Sequence, residues 1–142
     1  MILWTLNPSY LDDTSLFLLW HDAVTAKNII KSNKARYYKD HPEIKKFLQS
    51  PMPIDEINEY LLHIYDEAHF RNIELDASLL ESTSLEFTAT LPIEVSNEQL
   101  SKEYKRLLDI LKNDNRARYN ELIKNLENPL FVPAPHPLFI TE

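Results

Sequence analysis

The chain has 142 residues, a net charge of −7, and neither cysteine nor glycine. That length suits one domain with a buried core, and the missing cysteines exclude disulfides and thiolate metal sites. Without glycine the chain cannot form the glycine-rich loops that bind nucleotide phosphates, so its turns must use Asn, Asp and Pro. There is no apolar run long enough to span a membrane and no signal-peptide pattern, so we expect a soluble, cytoplasmic protein.

Capping residues and apolar periodicity predict helices in the first half of the chain. Cap candidates at positions 12–15 precede apolar residues at helical spacing, which predicts a first helix from Thr14 to Lys31. A short helix begins at Pro42 and runs towards Gln49, with His41 as its start residue, and the next helix spans Asp55 to Phe70. Asn72 then suits the left-handed position that ends a helix, because Asn is the best residue there after glycine.

The second half predicts two more helices and an extended tail. Ser96 with Gln99 forms a capping-box pattern before a fourth helix, and a last helix containing Tyr119 to Leu126 follows the break at 113–115. Residues 83–95 alternate apolar and polar, as in a strand or small hairpin. The prolines of residues 128–142 exclude a helix, so we expect this tail to lie extended over the surface.

We therefore predict a mostly α fold, in which residues 1–142 form one compact helical bundle. Its N-terminal segment packs against the helices, and residues 128–142 form the extended, proline-rich tail.

Charge is unevenly distributed along the chain. Residues 27–46 hold seven Lys and Arg against two acids, whereas residues 55–86 are strongly acidic, with Arg71 their only base. A negative net charge opposes binding to a polyanion, but a dipolar molecule can present one basic face to nucleic acid. A solvated helix face is the plainer interpretation of the same basic run.

The order and spacing of several short motifs resemble the phage-type pyrimidine-dimer DNA glycosylase/AP-lyase family. The matching positions are Trp4, Asn7-Pro8, Tyr10 to Asp12, Trp20 to Asp22, Tyr38, His41-Pro42, Phe47, Pro51 to Pro53, Ile57, Tyr60-Leu61, Glu67-Ala68 and Pro135 to Phe139.

The resemblance implies an enzyme whose nucleophile is its own N-terminal α-amine. On the family's pattern, Met1 occupies the nucleophile position and Asp22 the position of an essential carboxylate, which is usually Glu. The amine would attack the sugar C1′ of a damaged nucleotide, expel the base and form an imine, and β-elimination would then cut the strand. The carboxylate would stabilise the positive charge and assist proton transfer.

Met1 and Asp22 each have a plainer interpretation. Met1 could be only an initiator residue; the bulky Ile2, however, disfavours its removal, so we expect a free Met1 amine, which is partly neutral near pH 7. Asp22 could be a surface acid paired with Lys27 or Thr25. As the catalytic group it is one methylene shorter than Glu, which predicts lowered or altered activity.

The resemblance and the basic stretch together suggest a set of DNA contacts. These are His21, Lys27, Lys31, Arg36, Tyr38, Arg116 and Arg118. His21 stands where the family usually has Arg, and the segment around Arg116 is thinner in aromatic and basic residues than the family's. The thinner segment predicts fewer contacts to a pyrimidine dimer.

The expected partner is double-stranded DNA with ultraviolet-type or abasic damage, bound by a monomer that needs no cofactor or metal. His63 and His69 lie six positions apart, which does not place them on one helix face as metal ligands. Two alternatives remain open. One is a catalytically impaired member that binds nucleic acid or protein, and the other is a lyase that acts on abasic sites alone.

Overall fold

A computed structural model describes residues 1–80 and 93–141 of the chain. These residues form five α-helices and two short strands. Their bounds are α1 Asp13–Lys31, α2 Pro42–Leu48, α3 Pro53–Phe70, α4 Asn97–Asp114, α5 Arg116–Ile123, β1 Ile93–Glu94 and β2 Phe139–Ile140. The mostly α fold predicted from the sequence is confirmed.

Side-chain caps begin α1 and α4 at residues that the sequence offered as caps. The Asp12 carboxylate accepts a hydrogen bond from the Ser15 N–H at 2.9 Å and starts α1. The Ser96 hydroxyl accepts one from the Gln99 N–H at 3.0 Å and starts α4. Each cap satisfies an N–H group that has no partner within the helix.

The end of α3 also follows its local sequence. Asn72 has a φ of 60°, the left-handed conformation expected at that position. The N–H of Asn72 donates to the His69 carbonyl at 3.0 Å, and the N–H of Ile73 donates to the Ala68 carbonyl at 2.8 Å. These two bonds are those of a Schellman motif, which turns the chain without glycine.

The core forms between α1 and α3, the most extensively packed pair of helices, and α2 packs against both. Trp4 from the N-terminal segment and Trp20 from α1 are both buried there, as predicted. On the other side, α4 packs against α5, and Leu100, Leu107 and Leu111 of α4 belong to the same buried cluster. The N-terminal segment is thus enclosed by helices.

The C-terminal tail is extended, as predicted, and residues 128–130 are exposed, but the prediction that the whole tail lies over the surface was wrong. His136, Leu138 and Phe139 are buried, and β2 pairs in parallel with β1 through Phe139 and Ile93. The prolines exclude a helix but leave the side chains between them free to enter the core. Of the predicted strand or hairpin at 83–95, residues 83–92 lie outside the described part of the chain.

None of the helices in the described residues has the length and apolar character needed to cross a membrane.

Candidate active site

The first residues of the chain lie extended against the helices and leave the amino terminus at the surface. Leu3 and Leu6 are fully buried and Trp4 nearly so, whereas Met1 is 44% exposed. Buried apolar side chains therefore fix the segment while its first residue stays in contact with solvent.

Asp22 of α1 lies directly beside this terminus. The backbone N–H of Ile2 donates a hydrogen bond to its Oδ2 at 3.2 Å. The Met1 nitrogen is one backbone unit away, so it lies within about 7 Å of the same oxygen. Asp22 is partly exposed, so the amine and the carboxylate can both meet a molecule that arrives from solvent.

Leu3 is held by two side chains of α2. Its N–H donates to Glu43 Oε2 at 3.1 Å, and its carbonyl accepts from Lys46 Nζ at 2.5 Å. Lys46 Nζ also lies 3.0 Å from the same Glu43 oxygen. We call this arrangement of Glu43 and Lys46 around Leu3 the Leu3 clamp.

The next two residues are bonded to α4, α3 and the tail. The Thr5 N–H donates to Glu103 Oε1 at 2.7 Å, and the Thr5 hydroxyl donates to Glu103 Oε2. The Trp4 carbonyl accepts from the Tyr60 hydroxyl at 2.6 Å, and the Thr5 carbonyl accepts from the His136 N–H at 2.7 Å.

Tyr60 keeps its proton in this position. Burial raises its pKa well above the usual range, and the negative charges of Glu103, Glu43 and Asp22 raise it further. A protonated hydroxyl can donate to the Trp4 carbonyl, so Tyr60 remains a fixed donor beneath the N-terminal segment.

Several of the predicted DNA-contacting side chains point to solvent. His21 is exposed and stacks on Phe17, with ring centroids 5.8 Å apart. Arg36 is exposed, and its guanidinium lies 4.9 Å from the ring centre of Tyr37.

Lys31 and Arg116 are likewise exposed, and the Arg116 guanidinium lies 5.2 Å from the ring centre of Tyr119. The Arg116 and Arg36 pairs each present a cation beside an aromatic ring, which is a common arrangement on nucleic-acid surfaces.

Lys27 and Arg118 instead bond to backbone carbonyls of the protein. Lys27 is only 4% exposed, and its ammonium donates to the Leu79 carbonyl at 3.0 Å, so it does not lie on the surface expected of a phosphate contact. Arg118 donates to the carbonyls of Ser9 and Tyr10, which anchors the turn before α1.

Tyr38 is partly buried against the core, with its ring 6.1 Å from that of His41. The His41 ring itself accepts from the Glu43 N–H at 3.2 Å and caps α2, as its place before Pro42 suggested. In residues 1–80 and 93–141, three or more His, Asp or Glu side chains do not come together as metal ligands.

Sequence reasoning missed the side chains that hold the N-terminal segment. Glu43 and Lys46 were counted only as part of the basic stretch, and Glu103 drew no attention. Their partners lie 40, 43 and 98 positions away in the chain. The only local signal was the i, i+3 spacing of Glu43 and Lys46, which is typical of any helix surface.

Comparison with known protein families gives a match over the first 81 residues. The sequence model of a family described as pyrimidine dimer DNA glycosylase matches residues 1–81, which include both Met1 and Asp22. No curated protein and no solved structure matches the chain significantly.

Proposed function

The chain belongs to the pyrimidine dimer DNA glycosylase family, and from this premise we propose that its N-terminal amine acts as a glycosylase and AP-lyase nucleophile. The Met1 nitrogen attacks C1′ of a dimer-containing or abasic nucleotide, and Asp22 assists. The substrate is double-stranded DNA, and the product is a cut strand.

The contact between the Ile2 N–H and Asp22 Oδ2, at 3.2 Å, carries this proposal. It joins an exposed chain terminus to a carboxylate of α1, two groups separated by 20 positions in sequence. A separation of about 7 Å or less brings the amine and the carboxylate within reach of the same sugar carbon. Of the local partners considered for Asp22, Lys27 donates to the Leu79 carbonyl and Thr25 to the His21 carbonyl.

The reaction proceeds in two stages. In the first, the neutral amine forms a bond to C1′. On a dimer-containing nucleotide the C1′–base bond breaks with its electrons leaving on the base, and opening of the sugar ring yields a protonated imine; on an abasic nucleotide the amine adds to the C1′ aldehyde and water leaves to give the same imine. In the second, a base removes a proton from C2′, and the C3′–O bond breaks to release the 3′ phosphate. Asp22 stabilises the positive charge of the imine and accepts or returns protons, a role worth about 10²- to 10⁴-fold in rate.

Exposed residues in the middle of α1, at and beyond its C-terminal end, and on α5 would hold the DNA backbone. His21, Lys31, Arg36 and Arg116 are all at the surface. Phosphate contacts position a protein on the duplex and tolerate changes of place better than base contacts do. We therefore assign the contacts to the DNA phosphates to these four residues and a structural role to Lys27 and Arg118.

Borohydride trapping tests the proposal directly. Untagged protein is mixed with a duplex that contains one abasic site, and with a second duplex that contains a pyrimidine dimer, in the presence of borohydride. An N-terminally acetylated sample is the control, and mass spectrometry of the N-terminal peptide establishes that Met1 is free. We expect a covalent adduct on both duplexes that acetylation abolishes.

Trapping on the abasic duplex alone would restrict the activity to that of an AP lyase. If protein with a free Met1 forms no adduct on either duplex, the proposal is wrong. The remaining function would then be that of a catalytically impaired family member that binds nucleic acid or protein. The shorter Asp22 side chain gives that alternative its structural basis, because it reaches less far than the family's usual Glu.

A further inference from the structure

We propose that Glu43 and Lys46 are positioning residues that hold the amino terminus at the reacting distance from Asp22. This inference rests on the proposed function of Met1 and goes beyond it, because it assigns a role to two side chains that bond to the backbone of Leu3.

The Leu3 clamp satisfies both backbone groups of one residue. The Leu3 N–H is bonded to Glu43 at 3.1 Å and the Leu3 carbonyl to Lys46 at 2.5 Å, and the two side chains close the ring at 3.0 Å. A neighbouring β-strand would normally provide such a donor and acceptor. Here a single turn of α2 provides them, through an i, i+3 pair.

The enclosure of this pair distinguishes it from an ordinary surface ion pair. The Glu43 and Lys46 side chains are each 20% exposed. In the surface pair of Glu98 and Lys102 the side chains are 81% and 72% exposed, and the charged atoms are 3.8 Å apart. A partly enclosed pair is screened less by solvent than an exposed one, so it fixes the geometry of the backbone it binds.

The position of the clamp gives it control over the amine. Only Ile2 separates Leu3 from Met1, and Met1 itself is 44% exposed, so packing does little to fix the terminal residue. The bonds at Ile2 and Leu3 are then what directs the first two residues towards Asp22. A displacement of roughly 1 Å at a reacting group can lower a rate about a hundredfold.

Lys46 would otherwise be taken for a DNA contact, since it ends the basic stretch of residues 27–46. Its ammonium instead faces the Leu3 carbonyl and the Glu43 carboxylate, both on the protein. Loss of a phosphate contact weakens binding and lowers the salt dependence of affinity, whereas loss of a positioning contact lowers the rate on bound DNA. Measurements of affinity and of the rate on bound DNA therefore distinguish a phosphate contact from a positioning contact at Lys46.

The test uses Lys46→Met, Glu43→Gln and Lys46→Arg in the full-length chain. Lys45→Met is the matched control, because Lys45 is exposed on the same turn of α2. Three quantities are measured: amide hydrogen exchange at Leu3, the single-turnover rate of adduct formation on a saturating abasic duplex, and Kd for a duplex with an uncleavable tetrahydrofuran abasic analogue.

For Lys46→Met we expect at least tenfold faster exchange at Leu3 and a rate lowered about 10- to 100-fold, with Kd changed less than twofold. Glu43→Gln should give a smaller loss, since its amide oxygen can still accept from Leu3. Lys46→Arg keeps a donor for the Leu3 carbonyl and should restore most of the rate. Lys45→Met should match the unsubstituted protein in exchange and in saturated rate.

Two results would overturn the inference. One is unchanged exchange at Leu3 in Lys46→Met, which would show that the clamp does not hold the segment. The other is a raised Kd and a reduced salt slope with an unchanged saturated rate, which would make Lys46 a phosphate contact. Failure of the unsubstituted protein to form any adduct would instead refute the proposed function and with it the positioning role, while the exchange data would still report on the clamp.

Discussion

The two ends of the chain lie side by side but are held by different chemistry. Leu6 and Pro135 form an antiparallel bridge, and the Asn7 N–H donates to the Ala134 carbonyl at 2.9 Å. The N-terminal segment, residues 2–5, bonds to the carboxylates of Asp22, Glu43 and Glu103 and to the ammonium of Lys46. The C-terminal tail is held by backbone pairing and by burial of neutral side chains.

His136 shows the neutral chemistry of the tail most clearly. Its Nε2 lies 3.1 Å from the Tyr60 carbonyl, which can only accept, and its Nδ1 lies 3.0 Å from the Leu138 N–H, which can only donate. The ring therefore carries its proton on Nε2 and is uncharged. Burial is the main reason that its pKa is lowered to about 3.

This difference implies that the N-terminal contacts mainly position the reactive amine, whereas the tail mainly contributes to the free energy of folding. Hydrogen bonds to charged groups are short and directional, which suits a segment that must hold one reactive atom in place. Apolar burial has no direction but supplies most of the free energy of folding. Changes at the N-terminal segment should therefore affect chemistry first, and changes in the tail should affect the free energy of unfolding first.

The largest effect is expected at Asp22. Asp22→Asn should lower the single-turnover cleavage rate about 10²- to 10⁴-fold, because the neutral amide can neither stabilise the imine charge nor accept a proton. The free energy of unfolding should change little, since an amide oxygen can still accept from the Ile2 N–H. Asp109→Asn, which removes an exposed acid of α4, is the control and should keep the rate. A rate for Asp22→Asn within threefold of the unsubstituted protein would contradict the catalytic role.

Shortening a buried side chain of the tail should instead lower the free energy of unfolding and leave the cleavage rate nearly unchanged. Leu138→Ala should lower the free energy of unfolding by about 2–5 kcal/mol, because it leaves a cavity in the core. The cleavage rate of the fraction that remains folded should be nearly unchanged. Ile140→Ala, at a position 44% exposed in the same tail, should cost about 0.5 kcal/mol or less in urea denaturation. Equal losses in the two variants would argue against core packing by the tail.

Tyr60 contacts both the N-terminal segment and the C-terminal tail, so its substitution should show how much their shared contacts contribute to stability. Tyr60→Phe removes the donor to the Trp4 carbonyl and should lower the free energy of unfolding by about 1–3 kcal/mol, the cost of a buried acceptor without a partner. The aromatic packing against Phe47 and Phe139 would remain. Unchanged stability in urea denaturation would show that the Trp4 carbonyl finds another donor.

The pH dependence of stability should depend on His136. Below about pH 6.5 the unfolded chain protonates this residue, whereas the folded chain, with a pKa of about 3, does not. The unfolded state then binds more protons, so the free energy of unfolding falls as pH decreases from about 6.5 towards 3, by up to about 1.4 kcal/mol per pH unit. Urea denaturation at pH 7.0 and 5.5 measures this loss.

His136→Gln should lose less stability than the unsubstituted protein between those two pH values, whereas His69→Gln, at an exposed position of α3, should lose as much. If His136→Gln does not fold, an NMR titration of the His136 ring in the unsubstituted protein decides the matter. A ring that becomes protonated between pH 7.0 and 5.5 would contradict the prediction.

Local features of the fold could be predicted because they depend on neighbouring residues. The caps at Asp12 and Ser96 and the left-handed Asn72 each act over three to five positions, so their sequence patterns are sufficient. The course of the tail depended on the shape of the core, which no local pattern describes. The prolines indicated an extended chain correctly but said nothing about its depth.

The candidate site likewise contains some residues that the sequence could indicate and others that only the fold brings together. The motif order pointed to Met1 and Asp22, but the Leu3 clamp joins residues 40 and 43 positions apart. The positions of the basic residues in the sequence also failed to predict which side chains face solvent. Arg116 and Lys31 are exposed, whereas Lys27 is buried and Arg118 anchors a turn. A cation's role depends on which carbonyls lie within its reach, and only the fold determines that.

The contact between Thr5 and Glu103 crosses the boundary of the family match, which ends at residue 81. A chimera that transplants only the matched half onto another scaffold would leave the Thr5 N–H and hydroxyl without their acceptor, and the Thr5 carbonyl without the tail's donor. Unpaired polar groups of this kind draw water into a core and loosen the backbone around them. An engineer who moves this amino terminus must therefore move the α4 carboxylate with it.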